Sequence, residues 1–151
     1  MNNREIDRLV AQHVMGWTLW LEHRGQYDYI IWHKKDREPW FEYGKPLVHK
    51  DRFRQITLAD IDTHKHIENA PPEFSTDIAA AWQVVAKFGL TMTLCLVGGR
   101  PAGDWECELY TKGNPRSVEM EVANGTAKTA PLAICLAALQ AVGVAVPEVE
   151  V

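Results

Sequence analysis

Two stretches decide the fold: Phe74-Ser75-Thr76-Asp77-Ile78-Ala79-Ala80-Ala81-Trp82 and Thr129-Ala130-Pro131-Leu132-Ala133-Ile134-Cys135-Leu136-Ala137-Ala138-Leu139. In the first, Ser75 or Thr76 can cap a helix, and Asp77 complements the positive end of its dipole. Ile78, Ala81, Trp82, Val85 and Phe88 then recur at helical spacing as a buried face, and Gly89 closes the segment. In the second, Thr129 stands at the cap and Pro131 in the first turn, where a missing N–H costs little. Ala130 to Val142 is apolar nearly all round, which predicts a buried helix ended by Gly143.

Three strand-like runs lie between these helices. Thr91 to Val97 is apolar on both faces, as a strand covered on both sides would be. Trp105 to Thr111 alternates Trp105, Cys107 and Leu109 with Glu106 and Glu108. Ser117 to Val122 alternates Val118, Met120 and Val122 with Glu119 and Glu121, and Asn124-Gly125 reads as the turn after it.

Toward the N-terminus, Asn2 or Asn3 caps a first helix, with Glu5 completing a capping box from Asn2. Ile6, Leu9, Val10, His13, Val14 and Trp17 form its apolar face, opposite Arg4, Asp7, Arg8 and Gln12. Trp17–Glu22 and Tyr27–Trp32 flank the turn 23–26 as a hairpin. The expected fold is α/β. It is a single-domain α/β/α sandwich over residues 1–151 around an antiparallel or mixed sheet, with the last helix most buried. Residues 33–72 hold Pro39, Gly44, Pro46, Pro71, Pro72 and many charges. They predict a loop-rich insertion with one or two short elements near Arg54–Leu58.

At 151 residues and 46% hydrophobic content, the chain can bury a core without disulfides or metals. A net charge of −4 argues against general nucleic-acid binding and against an acidic membrane surface. Cys95, Cys107 and Cys135 form no C-x-x-C pair and read as reduced core residues. The longest apolar run, 130–146, is broken by Gln140 and Gly143, which suits a buried helix better than a membrane span. No charged-then-apolar leader opens the chain.

Val14-Met15-Gly16-Trp17, Ser75 to Trp82, the Trp105 strand and Thr129 to Cys135, in that order, resemble the phage ABA-sandwich domain family. These are small proteins encoded by tailed phages and prophages. The resemblance runs over roughly residues 4–17 and 74–142, leaving Pro46–Pro72 as an insertion. It implies an α/β/α sandwich in the host bacterial cytoplasm. It carries over no catalytic residue, because no activity is established for the family.

Two clusters could carry chemistry. Asp60, Asp62, His64 and His66 sit at alternate positions and would share one face of an extended strand, with His49 and Asp51 nearby. Carboxylate with imidazole suits zinc, iron or manganese, and a metal-bound hydroxide could hydrolyse a phosphoester. The plainer reading is a solvated loop. The second cluster interleaves aromatic and basic residues between Arg24 and Arg54, among them Tyr27 and Tyr29. Four of the six tryptophans fall between Trp17 and Trp40, which concentrates stacking faces there. Trp32, Lys35, Arg37, Trp40, Tyr43 and Arg54 are its ligand-binding candidates. No G-x-S-x-G, P-loop, G-x-G-x-x-G or H-E-x-x-H is present.

The function expected is therefore a non-enzymatic phage accessory protein without a cofactor. It would bind a small ligand, such as a nucleotide signal sequestered in counter-defence, or a host protein. The alternatives are a hydrolase with a divalent metal at Asp60–His66, and a virion or assembly component. A homo-oligomer is compatible with each.

Overall fold

In the computed structural model, which describes residues 1–34, 41–42, 45–46, 50–61, 65–88, 91–97, 104–110 and 121–146, the first helix α1 spans Asn3–Leu9. The predicted capping box is present: Asn2 Oδ1 accepts from Glu5 N at 3.0 Å, and Glu5 Oε2 accepts from Asn2 N at 2.8 Å. A π turn, Val10–Val14, continues the helix, with Met15 N donating to Val10 O at 2.9 Å. The buried stripe is Ile6, Asp7, Val10, Ala11 and Val14, while His13 is exposed. It is rotated from the predicted face because Asp7 has buried partners that a periodicity argument does not see. The chain forms two compact units, residues 16–71 and residues 1–15 with 72–151.

The 16–71 unit is built on a hairpin. β1 (Thr18–Arg24) and β2 (Tyr27–His33) are antiparallel around the two-residue loop Gly25-Gln26. Gly25 has φ +62 at the first loop position, which glycine accepts without strain and which suits the twist of the strands. A two-residue pair, β3 (Phe41–Glu42) and β4 (Lys45–Pro46), stands apart as its own ladder. β5 (Phe53–Ile56) joins β1 antiparallel, and β6 (His66–Glu68) joins β2 parallel. The sheet order is β5-β1-β2-β6, a mixed sheet as expected. One face is the apolar one: Leu19 lies opposite Trp32 and Ile56, Leu21 opposite Ile30, and all five are buried. Short elements of the 33–72 stretch thus supply both flanking strands.

In the other unit, α2 (Ile78–Phe88) follows a cap supplied by Asp77. Asp77 Oδ1 accepts from Ala79 N at 2.8 Å, and its carbonyl accepts from Ala81 N at 3.0 Å. Of the two predicted caps, Ser75 is instead fully buried and donates its Oγ–H to Asn3 O at 3.2 Å, and Thr76 donates its Oγ1–H to Glu73 Oε2 at 3.3 Å. Ala80, Ala81 and Val84 are buried on α2, while the Phe88 side chain lies outside the described ones. Ile78 and Trp82, expected in the core, are 42% and 51% exposed. Small alanines face the neighbouring elements because they allow closer helix approach than tryptophan.

β7 (Thr91–Val97), β8 (Asp104–Tyr110) and β9 (Glu121–Ala127) form an antiparallel sheet in that order. The strand predicted to end at Val122 runs on through Asn124-Gly125, which does not turn. Ala123, Gly125 and Ala127 give β9 a nearly smooth buried face against α3 (Ala130–Ala141). A Cβ on Gly125 would lie 2.4 Å from Ala133 O and 2.5 Å from Ala137 N, so strand and helix backbones meet in near contact.

α3 is the buried helix the sequence predicts. Its Ala133, Ile134 and Ala137 pack on Cys107, Leu109, Ala123 and Ala127, and α1 and α2 also pack against it. Thr129 holds the cap position through its carbonyl, which accepts from Ala133 N at 3.0 Å, while its side chain makes no cap bond. Gln140 Oε1 accepts from Asn124 N at 2.8 Å, covering part of the exposed edge of β9. Cys107 and Cys135 are both buried, and burial pushes the Cys135 thiol well up, helped by Asp7 and then Cys107. Among the described residues, no helix is long and apolar enough to cross a membrane.

Candidate functional site

The hairpin tip of the 16–71 unit gathers its polar chemistry. Strand pairing sets Glu22 opposite Tyr29, Arg24 opposite Tyr27 and Tyr29 beside His66, all on the face opposite the apolar one. Arg24 is the hub. Its Nε donates to Glu22 Oε2 at 2.7 Å. Its Nη1 and Nη2 donate to the two oxygens of Glu68 at 2.8 and 3.0 Å, a planar fork on a carboxylate. The guanidinium also lies 4.3 Å over the Tyr29 ring, and Tyr29 meets His66 edge-on at 5.5 Å between centroids. One side chain from β1 therefore reaches across β2 to hold β6.

The opposite face carries a second clasp. Asp28 accepts from His23 Nδ1 and from Lys65 Nζ, the latter at 3.3 Å. These partners, His23 foremost, hold the Asp28 carboxyl below its usual range. Hydrogen bonds from Arg24 lower Glu68 likewise, and the bonds that Arg24 donates to Glu68 and then to Glu22 push its own pKa further up. A three-residue parallel strand has little ladder of its own, so these ion pairs do much of the work of docking β6.

Acid should therefore loosen β6. A carboxyl with a lowered folded pKa contributes stability above its ordinary value, 4.5 for Glu68, and loses it as pH falls through the depressed one. Glu68→Gln should flatten the acid limb of stability for this unit, read by urea unfolding between about pH 6 and about pH 3. An unchanged acid limb in the variant would remove Glu68 from the clasp.

Between the clasps opens a hollow of about 620 Å³ lined by Gln26, Tyr27, Asp28, Tyr29, Lys65 and His66. Tyr27 is 60% exposed there. Two tyrosine rings and an imidazole offer stacking surfaces, while Asp28 and Lys65 are already paired with each other.

Sequence-predicted site residues fare unevenly. Trp32 is 2% exposed, packed in the core of its own sheet. Arg54 is exposed on β5, with β1 between it and the strand that carries Trp32. Lys35, Arg37, Trp40 and Tyr43 lie outside the described residues. Of the metal candidates, Asp62 and His64 also lie outside them. Asp60 sits in a 3-10 turn, Leu58–Asp60, not on an extended strand. Its Oδ2 accepts from Thr57 N and Oγ1, both at 2.9 Å, and these bonds lower its pKa. His66 begins β6 against Tyr29. Among the described residues, no group of three or more His, Cys, Asp or Glu side chains is placed to hold a metal ion. The hollow itself joins the hairpin tip to Lys65-His66, a parallel pairing with no local sequence signal.

No curated protein matches the chain. A crystal structure of a phage protein from Bacillus cereus ATCC 14579 has a similar fold, with a TM-score of 0.53 at 22% identity, covering 97% of this chain and 93% of that one. At that identity the likeness bears on the fold alone. The phage ABA sandwich domain matches residues 8–139, a span that takes in both helical stretches, all the strands between them and the 33–72 segment. The chain therefore belongs to the phage ABA sandwich domain family.

Proposed function

We propose that this protein is a non-enzymatic phage accessory protein that binds a small ligand in the hollow at the hairpin tip. The observation that carries the reading is Tyr27, 60% exposed on a paired strand and set beside Tyr29, His66 and Lys65. A volume of about 620 Å³ falls in the range of small-molecule sites. Arg24, Glu68, Asp28 and Lys65 are each held by a partner, which suits a pre-organised binding surface better than proton transfer. In a phage, withholding a host small molecule is a task such a module can perform, and counter-defence is the role we favour by that analogy. Lys35, Arg37, Trp40 and Tyr43 are proposed contributors from sequence.

The test is native mass spectrometry of the untagged protein after incubation with host extract. Wild type should gain a discrete small-molecule mass, and Tyr27→Ala should not. Because Tyr27 is exposed, its loss should change stability by no more than about 0.5 kcal/mol. An adduct retained by Tyr27→Ala would move the site elsewhere.

A second reading, self-association, is favoured by Ile78 and Trp82, one turn apart and exposed on α2. From Ile78 to Ala86 that helix carries no charge, so two copies could meet across a twofold axis without repulsion. The same spectra decide it: a monomer mass throughout removes this reading.

A further inference from the structure

We propose that the hollow selects a planar aromatic group that is uncharged or positively charged, and discriminates against one that bears a phosphate. This deepens the binding reading above and rests on it. A phosphate is drawn by positive charge that no carboxylate already offsets. Lys65 is the cation in the lining, and it is engaged by Asp28 at 3.3 Å. Arg24, beside the hollow, donates from Nε to Glu22 and from both terminal nitrogens to Glu68, so two carboxylates offset its charge. Among the described residues of the two clasps, the carboxylates of Glu22, Asp28 and Glu68 thus stand with Arg24, Lys65 and the His23 imidazole. An incoming anion that paired with Lys65 would also meet the Asp28 carboxylate, 3.3 Å from the same ammonium.

The aromatic side of the site points the other way. Tyr27 and Tyr29 are two apart on β2 and share a face. The Tyr29 ring already accepts a cation, the Arg24 guanidinium at 4.3 Å. Tyr27 offers a like ring at the mouth, 60% exposed, with the Glu22 and Glu68 carboxylates on the same sheet face. Stacking and cation–π attraction both work there, and neither needs a phosphate.

The experiment is a heteronuclear NMR titration of the full chain at fixed pH with three probes: adenosine, adenosine monophosphate and phenyltrimethylammonium. Adenosine or phenyltrimethylammonium should shift the backbone amides of residues 26–29 and 65–66 in wild type and not in Tyr27→Ala. Adenosine monophosphate should bind about fivefold more weakly than adenosine, the scale of one exposed unfavourable charge contact. If the monophosphate binds as tightly as adenosine or tighter, at these same amides, the ligand class is overturned while the hollow stands as a binding site. If none of the three moves these amides, both the class and the hollow as the site are overturned.

Discussion

Gly125→Ala should cost about 3 kcal/mol of stability, and Gly125→Val should leave the chain without its native core. A Cβ at Gly125 would fall 2.4 Å from the carbonyl oxygen of Ala133 and 2.5 Å from the backbone nitrogen of Ala137. Both are main-chain atoms of α3, so no side chain can rotate away. Either β9 or α3 must shift, and α3 is packed on β8, β9, α1 and α2 together. Moving it opens gaps around Ile134 and Leu139, each fully buried. A domain holds only about 5–15 kcal/mol in total, so the alanine variant should survive weakened and the valine variant should not. Thr126→Val, at the exposed neighbouring position, should stay within about 0.5 kcal/mol of wild type. Urea unfolding followed by far-UV circular dichroism reads all three. An alanine variant as stable as wild type would mean that α3 stands further from β9 than these contacts require.

The same glycine shows what a linear reading can and cannot reach. Asn124-Gly125 is a strong local turn signal, yet here it is mid-strand, because the reason for the glycine lies in a helix several residues on. Tertiary approach overrides local turn chemistry. The apolar periods were legible wherever the whole element is apolar, as in α3, or where a turn signal sits between alternating runs, as at Gly25-Gln26. They misled where one face must hold a polar residue. Asp7 looks like part of a solvated stripe and is 1% exposed, while Trp82 looks like an anchor of the core and is 51% exposed. Asp7 is buried with the Ser75 N–H as its partner, and on α2 the small Ala80 and Ala81 are buried instead of the tryptophan.

The candidate site was legible in kind only. The aromatic and basic enrichment of residues 24–54 is real, and Tyr27 and Tyr29 belong to it. What could not be read is the parallel pairing that brings His66 beside Tyr29 and Glu68 within reach of Arg24, separated by 44 positions. Parallel partners are set by the whole unit, not by a turn between them. Alternate spacing in Asp60–His66 suggested one strand, but the Thr57–Asp60 capping bonds give the backbone a local alternative there.

Asp7→Ala is the second large effect, expected at about 2–3 kcal/mol. Asp7 Oδ1 accepts from the Ser75 backbone N–H at 2.8 Å, and Oδ2 accepts from Arg4 Nη1 at 3.3 Å. Ser75 is fully buried, so truncating Asp7 leaves that N–H without its acceptor and away from water. Asp7→Asn retains a carbonyl oxygen for Ser75 and loses the charge facing Arg4, so it should cost less, about 1 kcal/mol. Ser75→Ala keeps the backbone bond and loses only the Oγ contact to Asn3 O, again about 1 kcal/mol. A larger loss for Asp7→Ala than for Asp7→Asn distinguishes an unsatisfied donor from a simple loss of charge. Cysteine chemistry gives an independent readout. Cys135 is fully buried in α3, and its thiol is held protonated first by burial and then by the Asp7 charge. Removing Asp7 lowers the electrostatic cost of the thiolate, but a reagent must still reach it. Alkylation of Asp7→Ala should therefore accelerate in step with the lost stability, because opening limits the reaction. Alkylation as slow as wild type, together with an unchanged urea midpoint, would show that α1 and the Ser75 segment hold together without this carboxylate.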